Sequence, residues 1–331
     1  MTAAPPITGA FHGPLFVVGM PRSGTKLLRD LLNQHPRIGI PRVETEFLPY
    51  WFENWSSWGD LADRDRFQSF YNNVSLSSYF RYQTKEDALI SAQRWFEQCA
   101  QFTPQGVFEA LLRHDGGAAA TSNVIWGDKS PSYLRHLRML SERFPEARFV
   151  HIVRDVRDYC LSIRNAWGKN MLRAAQRWTD DVADALQAES ELGERVLLVR
   201  YEDLLNDTQG ALERICAHLE LDFDPAMILL GETAENLGDT AGATEVVSSN
   251  QSKYLDALSS KEILAIEVIA AETLRRLDYP VSYGGETKRL SAAQQQAYKL
   301  SDAFQLVWSD VKRGEFWARI GLRWRQSREV R

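Results

Sequence analysis

The sequence predicts an α/β fold in which a parallel sheet is flanked by helices, and two observations support it. Three short apolar runs, each about as long as one buried strand, occupy residues 14–19, 148–153 and 195–200. Each run is followed by a loop and then by a pattern with helical spacing. Such strand-to-helix units predict parallel strands, and ligands of parallel sheets bind at the carboxyl ends of the strands.

The first unit begins with the apolar run Pro14–Gly19, which suits a strand that is covered on both faces. A glycine-bearing loop follows it. The leucines within residues 27–32 recur with helical spacing, and this pattern stops before Pro36. The unit is therefore predicted as strand, tight loop and helix.

The second and third units repeat this order. RFVHIV at 148–153 leads into RDVRDYCLSIRNAW, and RVLLVR at 195–200 leads into YEDLLND and a helical pattern. Between them a helix is predicted over about residues 170–192, because apolar side chains recur there on one face. Trp178 belongs to this face, which predicts that it packs in the core.

Two segments depart from the strand-to-helix pattern. Residues 47–82 carry twelve aromatic side chains without a clean period, which predicts a loop-and-short-helix cap over an acceptor site; core packing is the alternative. The region 286–331 is basic and has two amphipathic stripes. The stripes are Leu300, Phe304, Trp308 and Val311, then Phe316, Trp317, Ile320 and Trp324. We predict one domain over residues 1–285, followed by a helical extension that is a candidate contact for a membrane surface or for self-association.

The composition argues against several classes of protein. The chain of 331 residues has a formal net charge of −5, so no overall basic field points to nucleic acid as its partner. Its three cysteines lack the spacing of zinc ligands and favour neither a disulfide framework nor a metal site. No run approaches the roughly 18 apolar residues of a membrane span, and the N-terminus lacks a secretory signal. We therefore expect a soluble, cytoplasmic protein that uses no metal.

The loop after the first strand, Gly19–Lys26, has the features of a phosphate-binding loop. Its glycines let successive backbone N–H groups converge on an anion at the start of a helix. It fails as a Walker A loop, because Gly24 is followed by Thr25 and only then by Lys26. The lysine is one place late, and no hydroxyl remains where magnesium would bind.

This P-loop-type arrangement therefore suits an anion that needs no metal. Arg22 supplies a planar, permanently charged donor inside the loop. Ser23 and Thr25 add hydroxyl donors beside it.

With Pro-Arg-Ser-Gly-Thr at 21–25, the chain resembles the sulfotransferases that use 3′-phosphoadenosine 5′-phosphosulfate (PAPS), most of all the tyrosylprotein type and related bacterial enzymes. The family's 3′-phosphate motif places a serine eight residues after a strand-end arginine, as Ser162 and Arg154 stand here. Those two side chains can hold one phosphate between them. Two separated anion sites suit a nucleotide phosphorylated at both 3′ and 5′, whereas an ordinary nucleoside triphosphate needs only one.

The resemblance extends over about residues 14–280 and implies further site residues. It implies that Lys129, in WGDKS, contacts the bridging oxygen and the transferred sulfuryl group. Tyr201 in VRYEDLL and Lys253 in SSNQSKY are implied to lie against the nucleotide. The 5′-phosphosulfate is then held by the loop residues Arg22, Ser23, Gly24, Thr25 and Lys26.

The catalytic base is the assignment that depends most on local spacing. The tyrosylprotein type uses a glutamate shortly after the first helix, and VETEF offers Glu44 and Glu46. Spacing from His35 favours Glu44, and both remain candidates. A carboxylate in hydrogen-bond reach can accept the proton of the acceptor hydroxyl. We predict that His35 and His151 are packing or hydrogen-bonded residues rather than bases.

The predicted function is transfer of a sulfuryl group from PAPS to a hydroxyl, by in-line displacement and with adenosine 3′,5′-bisphosphate (PAP) as product. The acceptor is open among small molecules, carbohydrates, lipids and peptides. One alternative is a P-loop kinase or another NTP-dependent transferase, which would need magnesium and a Walker lysine. Another alternative is a nucleotide-binding scaffold without turnover.

Overall fold

A computed structural model describes residues 11–83, 89–117, 123–230 and 245–312, with side chains described as far as residue 303. Its five strands are β1 Leu15–Gly19, β2 Ile38–Gly39, β3 Ile125–Lys129, β4 Arg148–Val153 and β5 Val196–Arg200. They form one sheet in the order β2-β3-β1-β4-β5, and every neighbouring pair is parallel. The predicted α/β fold with a parallel sheet is confirmed.

Fourteen helices surround the sheet in the described residues. They are α1 Thr25–Leu32, α2 Leu48–Asn54, α3 Arg64–Val74, α4 Ser78–Tyr82, α5 Ala92–Gln98, α6 Pro104–Asp115, α7 Leu137–Arg143, α8 Val156–Trp167, α9 Met171–Leu192, α10 Tyr201–Asn206, α11 Thr208–His218, α12 Tyr254–Ala257, α13 Ser260–Arg276 and α14 Ala292–Lys312. Short 3-10 turns include Pro131–His136, directly after β3. The three predicted strand-to-helix units and the long helix before β5 are all present.

Strand β1 lies at the centre of the sheet and separates two hydrophobic cores. Leu15 and Val17 face one core with α1, α10 and α11, while Phe16 and Val18 face the other with α8, α9 and α13. This alternation follows from the two-residue period of a strand. Helices therefore cover both faces of the sheet and leave the carboxyl ends of its strands for a site.

Strands β2 and β3 were not predicted. The sequence of β3, IWGDK, contains glycine, aspartate and lysine, which have low strand propensity. Its five residues are nevertheless all buried, because β3 lies between β1 and β2. Sheet pairing overrides local preference here and brings Lys129 level with Val17 of β1.

The aromatic segment 47–82 forms short helices, as predicted, but many of its rings are core residues. Trp51, Phe67, Phe70, Tyr79 and Phe80 are buried in the same core as α8 and α9. These five rings pack on one another and on α5 and α6, which favours the alternative of core packing for them, while the cap over an acceptor site stays a prediction.

The C-terminal extension is described in part. Helix α14 covers the first predicted stripe, and Leu300 on it is exposed. The second stripe and the basic tail from Arg313 onward lie outside the described residues, and the domain division at residue 285 stays a prediction. In the part of the chain that is described, no helix is both long enough and apolar enough to cross a bilayer.

Candidate active site

The loop between β1 and α1 is shaped by two residues in the left-handed region. Arg22 has φ +72° and Gly24 has φ +90°. A Cβ atom at Gly24 would lie 2.4 Å from Cδ2 of Tyr201, so only glycine fits between loop and ring. Thr25 and Lys26 then begin α1. The loop turns tightly onto the start of a helix, as an anion-binding loop does.

Arg22 and Arg154 connect this loop to the ends of β4 and β5. Arg22 Nε donates to Ser162 Oγ on α8 at 3.2 Å, and Arg154 Nη1 donates to the Arg22 carbonyl at 3.3 Å. The Arg154 guanidinium also lies 4.7 Å from the centroid of the Tyr201 ring. Asn250 closes the group, because it accepts from Arg154 through its carbonyl and donates to Tyr201 Oη. Predicted residues from three chain segments, together with Asn250 from a fourth, therefore meet at one edge of the sheet.

Other contacts fix Arg154 in place. Trp178 is buried as predicted, and its indole N–H donates to the Arg154 carbonyl at 3.1 Å. The Asp158 carboxylate lies 3.8 Å from Arg154 and accepts from the backbone N–H of Tyr254. Burial raises the pKa of Asp158, and the charge of Arg154 opposes this shift. Lys253 precedes Tyr254, so this contact places the predicted segment SSNQSKY next to Asp158 and Arg154.

Three buried polar atoms around Arg154 and the loop have no hydrogen-bond partner among the described residues: the donors Ser23 Oγ and Arg154 Nε, and the acceptor Asp158 Oδ2. A buried donor without a partner is unfavourable, and native proteins rarely leave one unsatisfied. Both donors lie where the resemblance implies a phosphate group. The residues present therefore fit a doubly phosphorylated nucleotide.

Lys129 and Glu44 form an ion pair at the carboxyl end of β3. The Lys129 side chain is fully buried, whereas that of Glu44 is 33% exposed and open to an incoming molecule. Burial lowers the pKa of Lys129; the charge of Glu44 opposes this shift and that of Arg29 adds to it. The structure thus brings together Glu44 and Lys129, two of the three residues that the sequence predicted for catalysis; the third, Arg22, lies in the loop after β1.

The segment that carries Glu44 is hydrogen-bonded to the chain that follows Lys129. Ser130 Oγ accepts from the backbone N–H of Thr45 at 3.0 Å, and Tyr133 Oη lies 2.7 Å from Thr45 Oγ1. The Glu46 backbone has φ +55°, and its carboxylate forms no ion pair with Lys129 among the described contacts. Partial burial raises the pKa of Glu46, and so does the charge of Glu44. Geometry therefore favours Glu44 as the base.

Asp128 is a residue of this site that the sequence reasoning missed. It precedes Lys129 on β3 and is only 1% exposed, and neither carboxylate oxygen has a hydrogen-bond partner among the described residues. Burial raises its pKa to about 7, while Ser130 and Lys129 oppose the shift. Asp128 stands in the motif WGDKS but received no role, because the strand that buries it was not predicted.

The two histidines have structural roles, as predicted. His35 Nδ1 accepts from the backbone N–H of Arg37, and Nε2 lies 3.0 Å from the carbonyl of Asp222. His151 is buried on β4 and its Nδ1 contacts the carboxylate of Glu189.

Comparisons with known proteins agree with this geometry. A sequence profile described as "Sulfotransferase family" matches residues 14–225, more than half of the chain. Protein-tyrosine sulfotransferase A of Caenorhabditis elegans is 22% identical over 315 residues, which cover 86% of this chain and 73% of the relative. The nodulation protein NoeE of Sinorhizobium fredii is 25% identical over 336 residues, which cover 91% of this chain and 74% of the relative.

A solved structure shows the same fold. The sulfotransferase domain from the curacin biosynthetic pathway superposes with a TM-score of 0.54 at 19% identity. The superposition covers 82% of this chain and 100% of that domain.

Proposed function

The chain belongs to the sulfotransferase family, and we propose that it transfers the sulfuryl group of PAPS to an acceptor hydroxyl with Glu44 as the general base. The observation that carries this proposal is the ion pair of Glu44 with the buried Lys129, beside the loop Gly19–Lys26. A base and a cation in contact can serve the entering and the leaving oxygen of one displacement.

Two groups of residues would hold the nucleotide. The backbone N–H groups of the loop, with Arg22 and Ser23, would bind the 5′-phosphosulfate. Arg154 and Ser162 would bind the 3′-phosphate, and Tyr201 would lie against the nucleotide between these two sites. The direct contact of Arg22 with Ser162 shows that the two groups are within one side chain's reach.

The proposed reaction is a displacement at sulfur, in which residues of this chain accept the proton and stabilise the developing charge. PAPS supplies the sulfuryl group and a phosphate leaving group. As the acceptor oxygen bonds to sulfur, the bond from sulfur to the bridging phosphate oxygen breaks, and PAP leaves. Glu44 accepts the hydroxyl proton, and Lys129 with Arg22 stabilises the negative charge that develops on the leaving oxygen. The ion pair requires Glu44 without its proton, which is the form that a base needs.

The test combines binding and turnover. Isothermal titration with PAP in EDTA is expected to show metal-free binding, and radiolabelled PAPS is then offered with phenols, alcohols, saccharides and tyrosine peptides. Transfer of label to any acceptor supports the proposal. Binding that requires magnesium and prefers ATP would indicate an NTP-dependent transferase instead. Metal-free binding without transfer to any acceptor would indicate a scaffold.

A further inference from the structure

A cavity of about 290 Å³ lies next to the phosphosulfate loop. Its lining comes from Pro21 of the loop, from Arg135 on the turn after β3, and from α8, α9 and α14. That turn begins two residues after Lys129, so one wall continues from the strand that carries the catalytic lysine. The cavity therefore adjoins both the loop and the chain that follows Lys129, and its volume is close to the lower end of the range of small-ligand pockets.

Nearly half of the residues that line the cavity are ionic, and most of these form ion pairs. Four cationic and three acidic residues face the cavity. Arg135 and Arg177 both contact Asp181, at 2.6 and 3.4 Å, and Arg173 lies 2.6 Å from Asp302. These pairs leave one cation for a ligand.

That cation is Lys169. Its ammonium lies 4.8 Å from the ring of Trp167, and it has no ion pair with any residue that the structure describes. Burial lowers the pKa of Lys169, and the charges of Arg177 and Arg173 lower it further, while Asp302 opposes them. Lys169 is thus half-buried beside two other cations and one opposing carboxylate, and an anionic ligand would favour its charged form.

Helix α9 begins at this end of the cavity, where the backbone N–H of Asn170 donates to Asp302 Oδ1 at 2.7 Å. The 22 residues of the helix begin at Met171, beside Lys169, and the positive end of the helix dipole lies at that point. Asn170, which also lines the cavity, accepts from the backbone N–H groups of Leu172 and Arg173.

We propose that this cavity binds the acceptor and selects acceptors that carry a carboxylate or another anionic group, which Lys169 binds between Trp167 and Arg173. The inference rests on the proposed function and adds a substrate class to it. Trp167, Tyr159 and Ile163 supply an apolar wall for the body of the acceptor. Asp302 of α14 weakens the selection, because it neutralises Arg173.

The test measures the initial rate of sulfuryl transfer from radiolabelled PAPS to matched acceptors that differ only in charge. Suitable pairs are 4-hydroxyphenylacetate, glucuronate and a hydroxy fatty acid, each with its amide. The charged member is expected to react about tenfold faster, since a hydrogen bond to a charged group is worth about one decade or more.

Two variants should move this preference in opposite directions. Lys169→Gln should bring the ratio close to one through a slower reaction of the charged member. Asp302→Asn should raise the ratio, because Arg173 then acts on the ligand. Lys261→Gln, on the exposed face of α13, removes the same charge elsewhere and should leave the ratio unchanged.

Other outcomes overturn the inference. Equal rates for charged and neutral members, a preference that Lys169→Gln leaves intact, or transfer to neutral acceptors alone would each contradict it, although sulfuryl transfer itself would stand. If PAP binds but no acceptor of either kind receives label, the proposed function fails and the inference fails with it.

Discussion

The proposed nucleotide half of the site, formed by Arg22, Arg154, Ser162 and Tyr201, is built differently from the proposed transfer half, formed by Glu44 and Lys129. In the nucleotide half, loops at neighbouring strand ends join polar groups through hydrogen bonds at 2.8 to 3.3 Å. In the transfer half, a buried lysine meets a partly exposed glutamate 85 residues away in the chain. Arg22 is proposed to serve both halves, whereas Arg154 and Ser162 are proposed for binding alone and Glu44 and Lys129 for transfer alone. Mutations of these four residues should therefore separate nucleotide binding from turnover.

The largest effect is expected from Lys129→Ala. The variant loses the buried cation that stabilises the leaving oxygen, so turnover should fall by about 100-fold or more. PAP affinity should change little, because PAP lacks the sulfuryl group. Steady-state transfer rates and isothermal titration measure the two quantities, with Lys261→Ala as the control. An equal loss of PAP affinity would break the separation of the halves.

Glu44→Gln should come next. Removing a general base lowers turnover by about 10²-fold or more. Glu46→Gln is the matched control, since the Glu46 carboxylate forms no ion pair with Lys129 among the described contacts, and it should retain most of the activity. Transfer rates at saturating PAPS decide between the two. The assignment would be reversed if Glu46→Gln were the slower enzyme.

Arg154→Gln tests the nucleotide half. The loss of a charged donor to phosphate should weaken PAP binding by about 10-fold or more. Turnover at saturating PAPS should change much less, because the transfer half is intact. Titration calorimetry and a PAPS saturation curve measure both effects. A slower turnover with unchanged PAP affinity would mean that Arg154 acts in the transfer step.

The smallest effect on sulfuryl transfer is expected from Asp128→Asn. This variant should instead change the stability of the folded protein. Burial raises the pKa of Asp128 to about 7 from the ordinary value of 3.8. The folded protein keeps a proton there that the unfolded chain releases, so stability falls as pH rises from about 4 to 7. At pH 8 the variant should be more stable than the wild type by up to about 4 kcal/mol.

Calorimetric unfolding at pH 5 and pH 8 checks this expectation for Asp128. The exposed Asp256→Asn on α12 serves as the control. A stability difference that is the same at both pH values would contradict the assigned pKa.

The sequence predicted the nucleotide half better than the rest, for a physical reason. Arg22, Arg154 and Ser162 belong to short motifs whose geometry is set within one strand-to-helix unit. Strand β3 was missed because its composition is unfavourable to a strand, and only pairing with β1 and β2 makes it one. Asp128 was missed with it.

Long-range contacts explain the remaining differences. Asn250 contacts Arg154, which lies 96 residues earlier in the chain, and Tyr201, which lies 49 residues earlier. No local sequence pattern indicates contacts over such separations. The aromatic side chains of residues 47–82 show no helical or strand period in the sequence, because their rings pack on one another and on two later helices. The cavity beside Pro21 depends on α14, which lies beyond the residues that the family profile matches.

The most direct test of the account is a double-mutant cycle on Glu44 and Lys129, measured as the rate of sulfuryl transfer from radiolabelled PAPS at saturating nucleotide. If the two residues act as one catalytic pair, the double variant Glu44→Gln, Lys129→Ala should lose about as much activity as the slower single variant. All three variants should still bind PAP. Transfer at the wild-type rate by both single variants would contradict the account.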